Sequence, residues 1–395
     1  VSRLICLVAA LAGTLTVSVT PACGVPEFTT GGSVTAVRSV ALAAYDRMSE
    51  AQRIGQLFMV GVPTAGASAT EISALRSMHV DNLILKTGST AAAKTVHSAT
   101  TLMSAEVMQT GVAPFIGTDQ EGGLVQRLTG PGMSLMPSAL VQGTWSTSQL
   151  QTVSATWGRQ LSAAGVNVDL APVADTVPAK NAKQNAPIGA FDREFGHTPS
   201  VVGRHVAAFV HGMHTGGIDT SVKHFPGLGR ATGNTDTTRG VTDPTTRHDR
   251  FLGPFQAGIN AGTAFVMVSS ATYPHIDASR PACFSATIIN GMLRGDMHFG
   301  GIVISDSMNA VAVSGKTPAA RALAFFRAGG TMLLNVGSAQ VAPMVRAVAA
   351  QAKASKWFAH RIHADVMDVL RAKAKAGLII SVGAAGQSRS TTTGA

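Results

Sequence analysis

Thr220-Ser221-Val222-Lys223-His224-Phe225-Pro226-Gly227 is a short β-prone run that stops at Pro-Gly just after a cation and an imidazole. The strand therefore ends where its polar side chains begin. Three other apolar runs end in the same way: Phe115-Ile116-Gly117-Thr118 at Asp119, Asp169-Leu170-Ala171-Pro172-Val173-Ala174 at Asp175, and Gly301-Ile302-Val303-Ile304-Ser305 at Asp306. Polar groups at several strand ends of one chain predict a single converging site.

Between these runs, apolar β-prone segments alternate with helical patterns. Strands are expected over 56–62, 82–86, 115–119, 166–171, 220–223, 264–269, 301–305 and 331–336, and helices over 69–78, 91–109, 147–164, 199–215, 246–261, 286–292 and 318–328. Near-continuous apolar strands alternating with helices mean a parallel sheet covered on both faces. Eight such units point to an α/β fold, a single (β/α)8 TIM barrel without a second domain, whose reactive side chains sit at the carboxyl ends of the strands. An open doubly wound sheet is the alternative. It is disfavoured because no Gly-x-Gly-x-x-Gly opens a helix after the first strand. Two connections, 175–199 and 226–244, are long for a compact domain, and both follow strands, so both are expected as functional loops on the active face.

The chain has 395 residues, 45% of them apolar and only 13% charged, with a formal net charge of +10. No cluster of Lys and Arg with interleaved aromatics suits a nucleic-acid partner. An anionic cell-wall or lipid surface fits the charge better. Arg3 followed by an apolar stretch and then Thr20-Pro21-Ala22-Cys23 reads as an export signal over residues 1–22. Cys23 is the expected lipidation site, with ordinary cleaved secretion or an uncleaved anchor as alternatives. The expectation is an exported lipoprotein on the outer face of the cell membrane: a Gly/Thr/Ser/Val-rich tether over 23–44, the barrel domain over 45–383 and a Ser/Thr/Gly-rich tail over 384–395. Cys283 would then have no disulfide partner, and a lone cysteine is more often an inert apolar residue than a nucleophile.

Each strand-end residue admits more than one reading. Asp306 could be a nucleophile, a metal ligand or a helix cap. Asp119, in Gly117-Thr118-Asp119-Gln120-Glu121-Gly122-Gly123 with Arg127 eight residues on, suits recognition of a hydroxyl-rich or anionic ligand, or a salt bridge at a loop base. Lys223 and His224 would point to opposite faces of a regular strand unless its end twists. Arg193 could reach into the mouth from the first long loop or lie in a solvated turn. Zinc-type Cys or His spacing is lacking, as are a phosphate-binding Gly-rich loop and a Gly-x-Ser-x-Gly elbow, so neither metal nor cofactor is expected.

Taken together, the segments from Gly117 to Leu128, Ala171 to Asp175, Asn185 to Gly196, Lys223 to Gly229, Val266 to Pro274 and Gly301 to Ala310 resemble the glycoside hydrolase family 3 β-N-acetylglucosaminidases that act on peptidoglycan fragments. The resemblance spans about Gln56 to Gly337. It implies a (β/α)8 barrel, Asp306 as catalytic nucleophile, and Asp119, Arg127, Arg193, Lys223 and His224 as substrate-binding residues that hold a non-reducing N-acetylglucosamine. Asp175 would play a supporting part. The implied partners are N-acetylglucosamine-containing cell-wall saccharides, and a monomer is expected. One departure matters. The family has a His after Pro-Gly and an Asp-Ser-His further on, whereas here Leu228 and Asn234-Thr235-Asp236 stand at those positions. The family's acid/base His is missing, and Asp236 falls in its place. The resemblance thus implies a retaining exo-glycosidase with Asp306 and Asp236 as the catalytic pair. An N-acetylglucosaminide phosphorylase and a non-catalytic sugar-binding lipoprotein are the competing readings.

Overall fold

The computed structural model describes residues 34–231 and 233–379. Eight parallel strands form the centre: β1 Phe58–Val62, β2 Asn82–Leu85, β3 Ile116–Thr118, β4 Val168–Asp169, β5 Asp219–Phe225, β6 Phe265–Val268, β7 Ile302–Ser305 and β8 Leu333–Asn335. Each falls on one of the expected segments. Their order around the sheet is β7-β6-β5-β4-β3-β2-β1-β8. The ring closes where Ile304 pairs in parallel with Met332 and Ser305 N–H donates to Met332 O at 3.0 Å. This is a (β/α)8 barrel. Its strands are buried on both faces, which is why they read as apolar runs without alternation.

Helices begin where the sequence supplies caps. Ser68 and Glu71 form a reciprocal capping box before Ala69–Ser77, Ser146 caps Thr147–Ala163, and Thr317 followed by Pro318 opens Pro318–Ala328. The segment expected as a helix over 286–292 runs longer, as a π-type helix over Thr287–Asp296. Two helices follow β8, Val341–Ala354 and Lys356–Lys375. The second seals the amino-terminal end of the barrel. Its buried Lys373 Nζ lies 2.7 Å from Gln56 Oε1 and 3.4 Å from Asp81 Oδ1, beneath the Phe115 ring.

The tether expected over 23–44 is corrected in its second half. A helix, Val34–Arg47, begins there and buries Ala41 and Ala44 against Lys356–Lys375, with Tyr45 edge-on to His363. Small residues at those positions let two helices approach closely, which a Gly/Ser-type composition reading cannot anticipate. Cys23, the expected signal and the 384–395 tail lie outside the described residues.

Candidate active site

A cavity of about 490 Å³ opens at the carboxyl ends of the strands and is lined by side chains from Asp119, Arg127, Arg193, Lys223, His224, Asp236 and Asp306. All seven residues singled out by sequence for catalysis or substrate binding therefore converge on one rim.

Asp119 lies one residue beyond β3, and the chain then forms a small hairpin of Gln120–Gly122 and Val125–Gln126. Residues two apart on extended backbone share a face, so Glu121 joins Asp119 at the cavity. Sequence reasoning did not select Glu121, although that i, i+2 spacing was the available signal. Glu121 is the hub of the charged wall. Arg193 Nε and Nη2 donate to its two carboxylate oxygens at 2.8 Å each, and Lys223 Nζ sits 2.6 Å from Oε1. Lys223 Nζ also donates to Asp119 Oδ1 at 2.8 Å. Burial alone would raise the Glu121 pKa, but the Arg193 and Lys223 charges win and hold it well below the usual carboxylate range. The converse holds for Lys223: burial disfavours its charge, and Asp119 and Glu121 more than offset this, raising its pKa. Arg127 lines the same wall with its Nε buried and without a partner. It makes no salt bridge among the described residues.

Lys223 and His224 both reach the cavity although they are neighbours on β5. The pairing of β5 with β6 shifts register between Val222 and Phe225, so simple alternation breaks there. His224 is fixed from behind: its Nδ1 is 2.8 Å from Asp175 Oδ2. Asp175, fully buried, also accepts Leu228 N–H through Oδ1 at 2.7 Å. Asp175 does not line the cavity and supports the residues that do. Leu228 puts a side chain at the cavity floor where the family pattern has a His.

Asp306 follows the last residue of β7 and receives Ser307 N–H at 2.7 Å. Burial raises its pKa, and the negative charge of Asp236 raises it further; His224 and Lys223 act in the opposite direction. Asp236 comes from the second long loop. Asn234 Oδ1 accepts Asp236 N–H at 2.9 Å, turning the chain, and Ala312 N–H donates to Thr235 O at 3.0 Å. This pairs the loop with the segment that leaves β7. The two long loops are tied together by a residue that sequence reasoning did not select. Asn185 Nδ2 donates to Leu228 O and Ala231 O at 2.8 and 2.6 Å, and its Oδ1 accepts Ile188 and Gly189 N–H. Cys283 is buried, and its thiol pKa is raised by that burial and by the nearby Asp306.

Chemically, this wall can grip several hydroxyls at once. Carboxylates can accept from hydroxyls, and the Lys223, Arg127 and His224 side chains, which line the same cavity, carry N–H groups that can donate to them. Among the described residues no group of three or more His, Cys, Asp or Glu is placed to hold a metal ion.

The glycosyl hydrolase family 3 N-terminal domain matches residues 50–372. A curated beta-hexosaminidase of Xylella fastidiosa strain M23 is 34% identical over 271 residues, covering 66% of this chain and 76% of its own length. One from Stenotrophomonas maltophilia strain K279a is 32% identical over 266 residues, covering 65% of this chain and 76% of its own length. The crystal structure of a beta-N-acetylhexosaminidase from Beutenbergia cavernae DSM 12333 superposes with a TM-score of 0.81 at 43% identity, covering 82% of this chain and 98% of that one. With an eight-stranded parallel barrel, a charged rim at its strand ends and these relatives, the chain belongs to glycosyl hydrolase family 3 and is a glycosidase.

Proposed function

We propose that the protein is a retaining exo-β-N-acetylglucosaminidase that removes non-reducing N-acetylglucosamine from cell-wall saccharides. The beta-hexosaminidase relatives support the sugar and the bond cleaved. The observation that carries the mechanism is that Asp306 and Asp236, two carboxylates from different loops, line one cavity; the negative charge of Asp236 acts to raise the Asp306 pKa.

Asp306 attacks the anomeric carbon. The glycosidic C–O bond breaks as the departing oxygen takes the proton of Asp236, leaving the sugar esterified to Asp306. Water then attacks the same carbon and gives its proton to Asp236, and the ester bond to Asp306 breaks. Retaining enzymes of this kind use two carboxyl groups in these roles, and proton transfer contributes roughly 10²–10⁴-fold. Asp119, Arg127, Arg193, Lys223 and His224 hold the ring, their bonds strengthening as it flattens toward an oxocarbenium ion. Export with a lipid on Cys23 is part of the same reading, supported by Arg3, the apolar stretch after it and Thr20-Pro21-Ala22-Cys23. Metabolic labelling with a radioactive fatty acid, lost in Cys23→Ala, tests it.

The deciding experiment incubates the protein with a fluorinated N-acetylglucosaminyl fluoride and measures its mass. Trapping of one sugar on the peptide bearing Asp306 is the expected result. Full turnover of an aryl N-acetylglucosaminide by Asp306→Asn overturns the assignment. Running the reaction with and without phosphate separates hydrolysis from phosphorolysis by whether free sugar or sugar phosphate appears.

A further inference from the structure

Four of the eight large apolar side chains that stay exposed among the described residues come from segments joined to one another beside the cavity: Leu124 at 77%, Leu135 at 78%, Val141 at 48% and Phe191 at 40% exposure. They come from three separate segments that the backbone stitches together. Gly123 N–H donates to Met136 O at 2.9 Å, which sets Leu124 beside Leu135. Gln126 adds side-chain bonds to Ser134 O at 2.7 Å and from Met136 N–H at 2.9 Å. Leu140 N–H donates to Asp192 O at 3.2 Å, which joins the short helix carrying Val141 to the turn carrying Phe191. Phe191 lines the cavity itself, as does Val125, the chain neighbour of Leu124, so the hairpin turn and the Phe191 turn both border the site.

Exposed apolar groups cost solvation, and a contiguous patch of them on a monomer's surface usually marks a contact. The inner wall is charged and suits the hydroxyls of the sugar being removed. Leu124, Leu135 and Val141 do not line the cavity whereas Phe191 does, so these side chains lead from the cavity outward. We infer that Leu124, Leu135 and Phe191 form an apolar platform for the leaving group, contacting the C–H face of the next pyranose ring or an aryl aglycone. Such a contact sets which glycosides are cleaved well without touching the bond that breaks. The inference rests on the glycosidase reading above.

The test compares kcat/KM for 4-methylumbelliferyl and methyl β-N-acetylglucosaminides in wild type, Phe191→Ala, Leu124→Ser and the double variant. Leu102→Ser, which alters an exposed leucine on the helix Ala93–Val107, serves as control. The intrinsic reactivities of the two leaving groups cancel when the aryl-to-methyl ratio is compared between variants. That ratio is expected to fall about tenfold in the double variant, in line with losing part of one apolar side-chain contact, and to stay put in Leu102→Ser. All the sites are exposed, so folding is not at stake. A ratio unmoved in the double variant, or moved equally by Leu102→Ser, overturns the platform alone. A wild type that cleaves neither glycoside overturns the activity, and the platform with it.

Discussion

Lys223 Nζ stands 2.6 Å from Glu121 Oε1, and both side chains are almost fully buried. Two desolvated charges are tolerable here because each is paired more than once: Glu121 with Arg193 as well, Lys223 with Asp119 as well. Removing one partner strands the others. Glu121→Ala is expected to lower stability by about 3–5 kcal/mol and to raise KM at least about tenfold as Arg193 and Lys223 lose their positions. Denaturant titration and steady-state kinetics check both. Wild-type KM in a folded variant would contradict the hub role.

Asp236→Asn separates proton transfer from binding. For substrates with a sugar leaving group, kcat/KM should drop by roughly 10²–10⁴-fold, and for aryl glycosides with acidic leaving groups far less. The variant also removes a negative charge that raises the Asp306 pKa. Asp306 must be ionised to attack, so the acid limb of the kcat/KM profile should move to lower pH. An acid limb that stays in place or moves upward would show that Asp236 does not act on Asp306.

Asn185 holds the two long loops to each other, so Asn185→Ala is a test of loop coupling without touching the charged wall. The substitution removes both donated bonds to Leu228 O and Ala231 O and takes the acceptor from Ile188 and Gly189 N–H, while Leu228 O keeps the Ala231 N–H at 3.2 Å. The expected cost is about 1–3 kcal/mol, with a fall in kcat/KM as the segment bearing Asp236 loosens. Activity equal to wild type would place the loop's order elsewhere, for example in the Arg230 contacts to Thr245 and Asp249.

Far from the site, Asp219 opens β5, and burial raises its carboxyl to about 6, with Lys375 acting against the rise. In the unfolded chain the group titrates at about 3.9. The folded state therefore keeps the proton to higher pH, and stability falls as pH climbs from about 4 to about 6, then carries a constant penalty. Asp219→Asn should be more stable than wild type at pH 7, by roughly 1–2 kcal/mol for a half-buried group. The gain should vanish below about pH 4, where both side chains are neutral. Thermal melts at pH 3.5, 5 and 7 give the sign.

The sequence by itself determined the barrel. Strands such as Ile302–Ser305 are apolar throughout because a parallel strand is covered on both faces, and the helices between them announce themselves through Ser68, Ser146 and Thr317 caps. It also placed Asp119, Lys223, His224 and Asp306 at strand ends, which in this fold is nearly a statement about three-dimensional position. Other features depended on contacts between segments far apart in the chain. Glu121 became the hub only because Arg193, 72 positions on, folds back to it. Asp236 shares a cavity with Asp306 because its loop docks on the segment after β7, where Thr235 O and Asp236 O accept Ala312 and Val311 N–H. Asn185 matters only because the carbonyls of Leu228 and Ala231 arrive beside it. Periodicity and caps are local and can be read along the chain. Charge pairing and loop docking are set by through-space distances of a few ångströms between segments, and no local pattern encodes those.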